Sequence, residues 1–202
     1  MLVFACPGQV RAADSRTGIL KLDPSRTTVA FVLQGSLHTT HGEFQLESGT
    51  IKADEKTGQA EGEITIDAAS GRSGDFLRDR RMRDDVLRSA TWPEIKFTPH
   101  RVKGYLDQQG ILRASLEGIL VLQGVSHEVA IEVDGRLSGR ELFATGHLSI
   151  PYVQWGLEDP SVLFLSVAKE VEIKITTTGY VEWVNQDGIS NGSRGLGIEQ
   201  SP

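Results

Sequence analysis

The chain has 202 residues, 39% of them hydrophobic and 24% charged, a composition that suits one globular domain with a sizeable core. A formal net charge of −6 argues against a nucleic-acid partner, and a single cysteine, Cys6, rules out an internal disulfide. No apolar run reaches the ~18 residues that a helix needs to cross a bilayer, so no integral membrane span is expected.

The chain opens with "MLVFACPGQVRAADS", which is apolar and then turns polar after small residues. Residues 1–13 read as the remnant of a secretory signal, with Val10 and Ala12 placed for a cut after Ala12. Such a cut removes Cys6 and leaves no thiol to misoxidise, which suits an oxidising envelope compartment. The expected location is therefore periplasmic or secreted.

From residue 14 to residue 184 the chain reads as one β domain. "TTVAFVLQG" puts Val29, Phe31 and Leu33 on one face. "EFQLESGTIKAD" carries Phe44 and Leu46, then Gly49, which suggests a bulge before Ile51. "GEITID" alternates through Ile64 and Ile66, and "PEIKFTPHRV" offers Ile95 and Phe97. "ILRASLEGILVLQG" keeps Leu112, Leu116, Leu120 and Leu122 in step, and "HEVAIEVDG" keeps Val129, Ile131 and Val133. "ELFATGHLSI" and "KEVEIKITTTGYVEW" continue the alternation. Gly58, Gly110 and Gly124 stand where tight turns are expected. Eight or nine strands with one apolar face and no helices to cover it must close into an antiparallel barrel or fold into a sandwich. Residues 185–202 are polar and rich in Gly and Ser, which predicts a disordered tail.

One stretch breaks the pattern: "FLRDRRMRDDVLRSATWPEIKF". Plotted as a helix over residues 75–90, it puts Phe76 and Leu87 together, with Leu77 to one side and Met82 and Val86 to the other. That arc is wide and interrupted by arginines, unlike a surface helix on a flat sheet. It suits a short or broken helix plugging one barrel end, with apolar side chains inward and arginines on the rim; the competing reading is a plain connector with mutually paired Arg and Asp.

No catalytic constellation is present in the sequence. His38 and His41 lie in a predicted loop with only Glu43 nearby, and chance surface histidines fit them better than a metal site. Ser126 and His127 are neighbours in a strand and so point to opposite faces. Glu158 and Asp159 follow Gly156 and precede Pro160, which marks a turn before it marks paired acids. No catalytic residue, metal ligand or cofactor is assigned, and an enzyme is not expected. Alternation cannot tell a filled barrel from a hollow one. Small residues on apolar parities (Gly118, Ala144, Gly146) hint at room inside.

Taken in order, several segments resemble the YceI-like family. They are "LDPSRTTVAFVLQG", "HGEFQLESGTIKAD", the arginine-rich stretch through Trp92-Pro93-Glu94-Ile95-Lys96-Phe97, "GILVLQGVSHEVAIEV" and "WGLEDPSVLFLSVAKEVEIKI". Gly42-x-Phe44 and Leu122-x-Gly124-Val125-Ser126 match its shorter motifs. The chain departs at Thr27-Thr28, where the family often has His-Ser, and at Gln34-Gly35, where it often has a histidine.

The resemblance implies a lipocalin-like antiparallel β-barrel of about eight strands in the bacterial envelope that binds a polyisoprenoid or isoprenoid quinone without catalysis. Candidate lining residues are Val29, Phe31, Phe44, Ile64, Ile66, Phe76, Leu77, Met82, Phe97, Leu120, Trp155 and Phe164. Arg78 and Arg81 are candidates for the rim or for a head group. The expected partner is the long-chain lipid, with a homodimer left open. The competing readings are a solid barrel acting through its surface in an envelope stress response, and a lipid-modifying enzyme with a histidine base.

Overall fold

The computed structural model describes residues 16–161 and 166–185. The predicted signal remnant, nearly all of the predicted tail and Phe164 lie outside the described residues.

Ten strand segments form one closed antiparallel sheet. They are β1 (Arg16–Leu22), β2 (Thr28–Leu33), β3 (Thr40–Phe44), β4 (Leu46–Asp54) and β5 (Ala60–Asp67), then β6 (Glu94–Leu106), β7 (Ile111–Leu122), β8 (Val125–Ser138), β9 (Glu141–Ile150) and β10 (Val171–Asn185). The first half of β10 pairs with β2 and its second half with β1, while β9 lies along its other edge. β1 and β2 are thus two halves of one stave, and β3 and β4 are halves of the next. The barrel has eight staves, as the family resemblance implies and within the eight or nine strands that the alternation predicts.

The break in the first stave has a local cause. Pro24 follows Asp23, whose carboxylate accepts the Ser25 N–H at 2.9 Å, and this nucleates the 3-10 turn Pro24–Arg26. The second stave shifts register between Leu46 and Ser48. The bulge therefore falls before Gly49, and Gly49 instead makes room for Leu22, whose Cδ1 would lie 2.6 Å from an added Cβ. The β7–β8 hairpin turns on Gln123 (φ 51°) and Gly124 (φ 74°), the paired positive angles that a two-residue hairpin requires.

The up-and-down order sends the β2–β3, β5–β6, β7–β8 and β9–β10 connections to one end of the barrel. The opposite end is filled. There Leu142, Ala144 and Val181 are buried with Leu20, Leu112, Val133 and Leu137 packed on them. A second cluster, Ile51, Phe97, Leu116, Leu120 and Ile131, fills the barrel's waist.

The small inward residues do not create the empty space. A Cβ on Gly118 would lie 2.6 Å from the Phe97 ring and 2.5 Å from the Thr98 carbonyl oxygen. One on Gly146 would touch Ile131 at 3.0 Å, and Ala144 sits in the filled end. These positions admit neighbouring side chains and so tighten the packing. Gly118→Ala should therefore destabilise the fold by about 1–3 kcal/mol through overpacking. The check is a lower denaturant midpoint with an unchanged slope.

Candidate functional site: an apolar cavity under a helical rim

The β5–β6 connection carries the predicted plug. It is shorter than the sequence suggests: α1 (Phe76–Arg81) runs directly into a π-helical turn, Met82–Val86. Asp75 caps α1 by accepting the Arg78 N–H at 2.9 Å. Asp79 accepts the Ser73 N–H at 2.7 Å, while Arg78 donates to the Ser73 hydroxyl at 2.7 Å and to its carbonyl at 2.8 Å. The Leu87 N–H reaches back to Met82 O at 2.8 Å, the longer loop that defines the π turn. Gln123 of the β7–β8 turn donates to Val86 O at 2.5 Å and ties the segment to the barrel.

Beneath this segment lies a cavity of about 520 Å³. Its wall is almost entirely hydrocarbon. Val29, Phe31, Phe44, Ile64, Ile66, Phe97 and Leu120 line it from the strands, and Leu77 and Met82 line it from the helical segment. Phe31 and Phe44 meet with ring centroids 5.5 Å apart. The floor is the packed waist of the barrel. The polar fringe consists of His38, Thr40, Arg78 and Arg81.

Two predicted liners fall elsewhere. Phe76 is 76% exposed. Residues 77, 78, 81 and 82 all face the cavity, and at about 100° per residue this centres the inward face opposite Phe76. The arc drawn from Phe76 and Leu87 fails because the π turn adds a residue, which lets Leu87 sink to 8% exposure without Phe76. Trp155 does not line the cavity either. Its ring stacks on His127 at 3.8 Å and 5° and packs against the core. His127 Nε2 is buried there with no hydrogen-bond partner.

The strand parities pointed to further liners that the sequence list did not include: Leu122, Ile131, Leu148, Ile150, Ile173 and Ile175. His38, read as a chance surface histidine, reaches the mouth; the length of its loop gave no signal of this.

The β9–β10 connection forms the facing rim. Tyr152 is buried and donates to Ala168 O at 2.8 Å, and burial pushes its phenol up to about 12. Asp159 pairs with Lys169 and accepts the Ser161 N–H at 3.0 Å. These contacts, Lys169 first and then Ser161, hold its carboxyl down to about 2. Glu158 lies 3.8 Å from Arg81 across the mouth. The two acids are turn and rim groups, as the flanking Gly156 and Pro160 predict. Among the described residues no three His, Cys, Asp or Glu side chains gather to hold a metal, and no helix is long and apolar enough to cross a membrane.

The comparison with known families decides the identity. A family model described as the YceI-like domain matches residues 20–179. The chain belongs to the YceI-like family. Solved structures share the fold of this YceI-like barrel. BcnA of Burkholderia cenocepacia is similar at a TM-score of 0.64 and 22% identity, over 78% of this chain and 98% of that one. A polyisoprenoid binding domain from Saccharophagus degradans, implicated in plant cell wall breakdown, is similar at 0.59 and 18%, over 80% and 97%. The Campylobacter jejuni YceI protein is similar at 0.56 and 16%, over 69% and 83%. No curated protein matches the chain.

The two departures from the family pattern have structural roles here. Thr27 donates to Asp23 O at 2.7 Å and lies 2.6 Å from the Thr177 hydroxyl, bridging the stave break to β10. The Gln34 carbonyl accepts the Ala168 N–H at 2.7 Å.

The Asp159 contact makes a pH prediction. Its folded-state pKa lies below the ordinary 3.8, so its contribution to stability is complete above pH 3.8 and is lost as pH falls towards 2. Carboxyl NMR should find a midpoint near 2 in the native chain and a higher one, closer to 3.8, in Lys169→Met. An unchanged midpoint in the variant would show that the Lys169 pair does not set it.

Proposed function

We propose that this protein binds one long-chain amphiphile, a polyisoprenoid or isoprenoid quinone, inside the barrel in the bacterial cell envelope, and that it acts by sequestration or transport and not by catalysis. The observation that carries the reading is a cavity walled by hydrocarbon, closed below by the core and fringed by arginines at its only charged edge among the described residues. The polyisoprenoid binding domain among the structural neighbours supports the ligand class. A half-hollow interior supports a binder over a solid barrel that works through its surface.

The energetics need no directional chemistry inside. Each buried methylene contributes about 0.8 kcal/mol, less the entropy of ordering the chain. At interior packing density, 520 Å³ holds roughly four or five five-carbon units. A longer tail projects from the mouth. Arg78 already donates to both Ser73 oxygens, so its role is to hold the rim. Arg81, only 3.8 Å from Glu158 and part-exposed, is the better partner for a polar head. Export by way of residues 1–13 belongs to the same proposal.

Two outcomes are expected. In a series of prenols, affinity rises with chain length to about 20–25 carbons and then levels off. Ile173→Asp, which puts a charge in the wall, lowers affinity at least about tenfold while the circular dichroism spectrum stays β-rich. Affinity that ignores chain length, or full retention in Ile173→Asp, would refute an internal site. Leu77→Arg, at the mouth, is expected to weaken binding less than Ile173→Asp.

A further inference from the structure

Resting on the cargo reading above, we propose that the mouth end of the barrel is a docking face for the surface of an anionic lipid bilayer. The most exposed apolar side chains at this end are Leu37, in the β2–β3 connection, and Phe76 and Leu77, at the start of α1. They are 76%, 76% and 73% exposed. His38 and Leu77, next in sequence to Leu37 and Phe76, both line the cavity, so the two projections flank the same mouth. Leu77 belongs to the cavity wall and to the outer surface at once. It makes a continuous apolar path from the interior to whatever covers the mouth.

The surrounding charge selects the occupant. The chain as a whole is acidic at −6, yet residues 72–88 hold six arginines against four aspartates. Arg72 and Arg88 are exposed and make no ion pair among the described residues. Trp92, 41% exposed in the same connection, lies against Gly124 of the neighbouring turn. Apolar tips on separate loops, an aromatic at their edge and cations around them match the layered chemistry of an anionic bilayer surface. A flat partner protein would meet a continuous face, and this end has protrusions. The aromatic side chains exposed elsewhere, Tyr105, Phe143, Tyr180 and Trp183, lie on strands towards the filled end and do not line the cavity. Docking the mouth on the bilayer lets an apolar tail pass between membrane and barrel without crossing water.

The test is flotation of the full chain with vesicles of phosphatidylcholine alone or with about a third phosphatidylglycerol. The native chain is expected to bind the mixed vesicles at low ionic strength and to release as salt rises. The double variant Leu37→Ser, Phe76→Ser should lower binding about tenfold through lost apolar insertion. The variant Arg72→Gln, Arg88→Asn should lose the preference for phosphatidylglycerol. None of these four residues lines the cavity, so thermal melting and uptake of dispersed polyprenol should stay unchanged in both variants. Failure of the native chain to bind either vesicle, or equal binding by the serine variant, overturns the docking face. Retained polyprenol uptake would then leave the cargo reading standing. Vesicle binding without polyprenol uptake would support the face and overturn the cargo reading instead. A native chain that ignores vesicles but dimerises, with the dimer lost in the serine variant, overturns bilayer docking in favour of self-association.

Discussion

Closure of the sheet along β10 is the constraint on which the rest depends. This strand pairs with β9 along one edge and with β2 and then β1 along the other. Without it the sheet has two free edges and one apolar face open to water. With it, every inward side chain is enclosed, and the inside of the barrel becomes a volume that must be either packed or occupied. Thr27 and Thr177, whose hydroxyls lie 2.6 Å apart, bridge the seam at the point where β10 passes from one half-stave to the other.

The interior divides unevenly. Leu20, Leu112, Val133, Leu137, Leu142 and Val181 fill one end, and the waist cluster around Phe97 and Leu116 closes it off. The other end holds the cavity under a six-residue helix and a π turn set across the mouth, where Met82, Val86 and Leu87 pack with strand residues such as Leu122 and Ile150. Stability and binding are thereby separated along one axis. The filled end supplies the core, and the hollow end can present hydrocarbon to a ligand without opening the fold. Within the hollow end, Leu87 is buried beside Leu122 and Tyr152 while Leu77, ten residues earlier, faces both cavity and solvent.

Much of this was legible in the sequence. The alternation through Val129, Ile131 and Val133 gave β8 its inward face, and Gly124 marked its turn. Such parity identifies what points inward but carries no depth along the barrel. Leu142 and Leu148 have the same signature, yet one is buried in the filled end and the other lines the cavity. The plug was recognisable from its charge and its wide apolar arc, but Phe76 was misplaced because a π turn leaves no periodic trace. Trp155 was misplaced because a turn residue has no parity, and its partner His127 is far away in sequence. The small residues misled for a different reason: a missing Cβ is filled by a neighbour, as Phe97 fills the space at Gly118.

The central claim is that the hollow end is a ligand site in the living cell. Native mass spectrometry of the protein purified from its own host, followed by organic extraction of what it carries, tests this most directly. The account predicts one long-chain amphiphile per barrel, released on extraction. An empty protein that also fails to take up added quinone or polyprenol would contradict it.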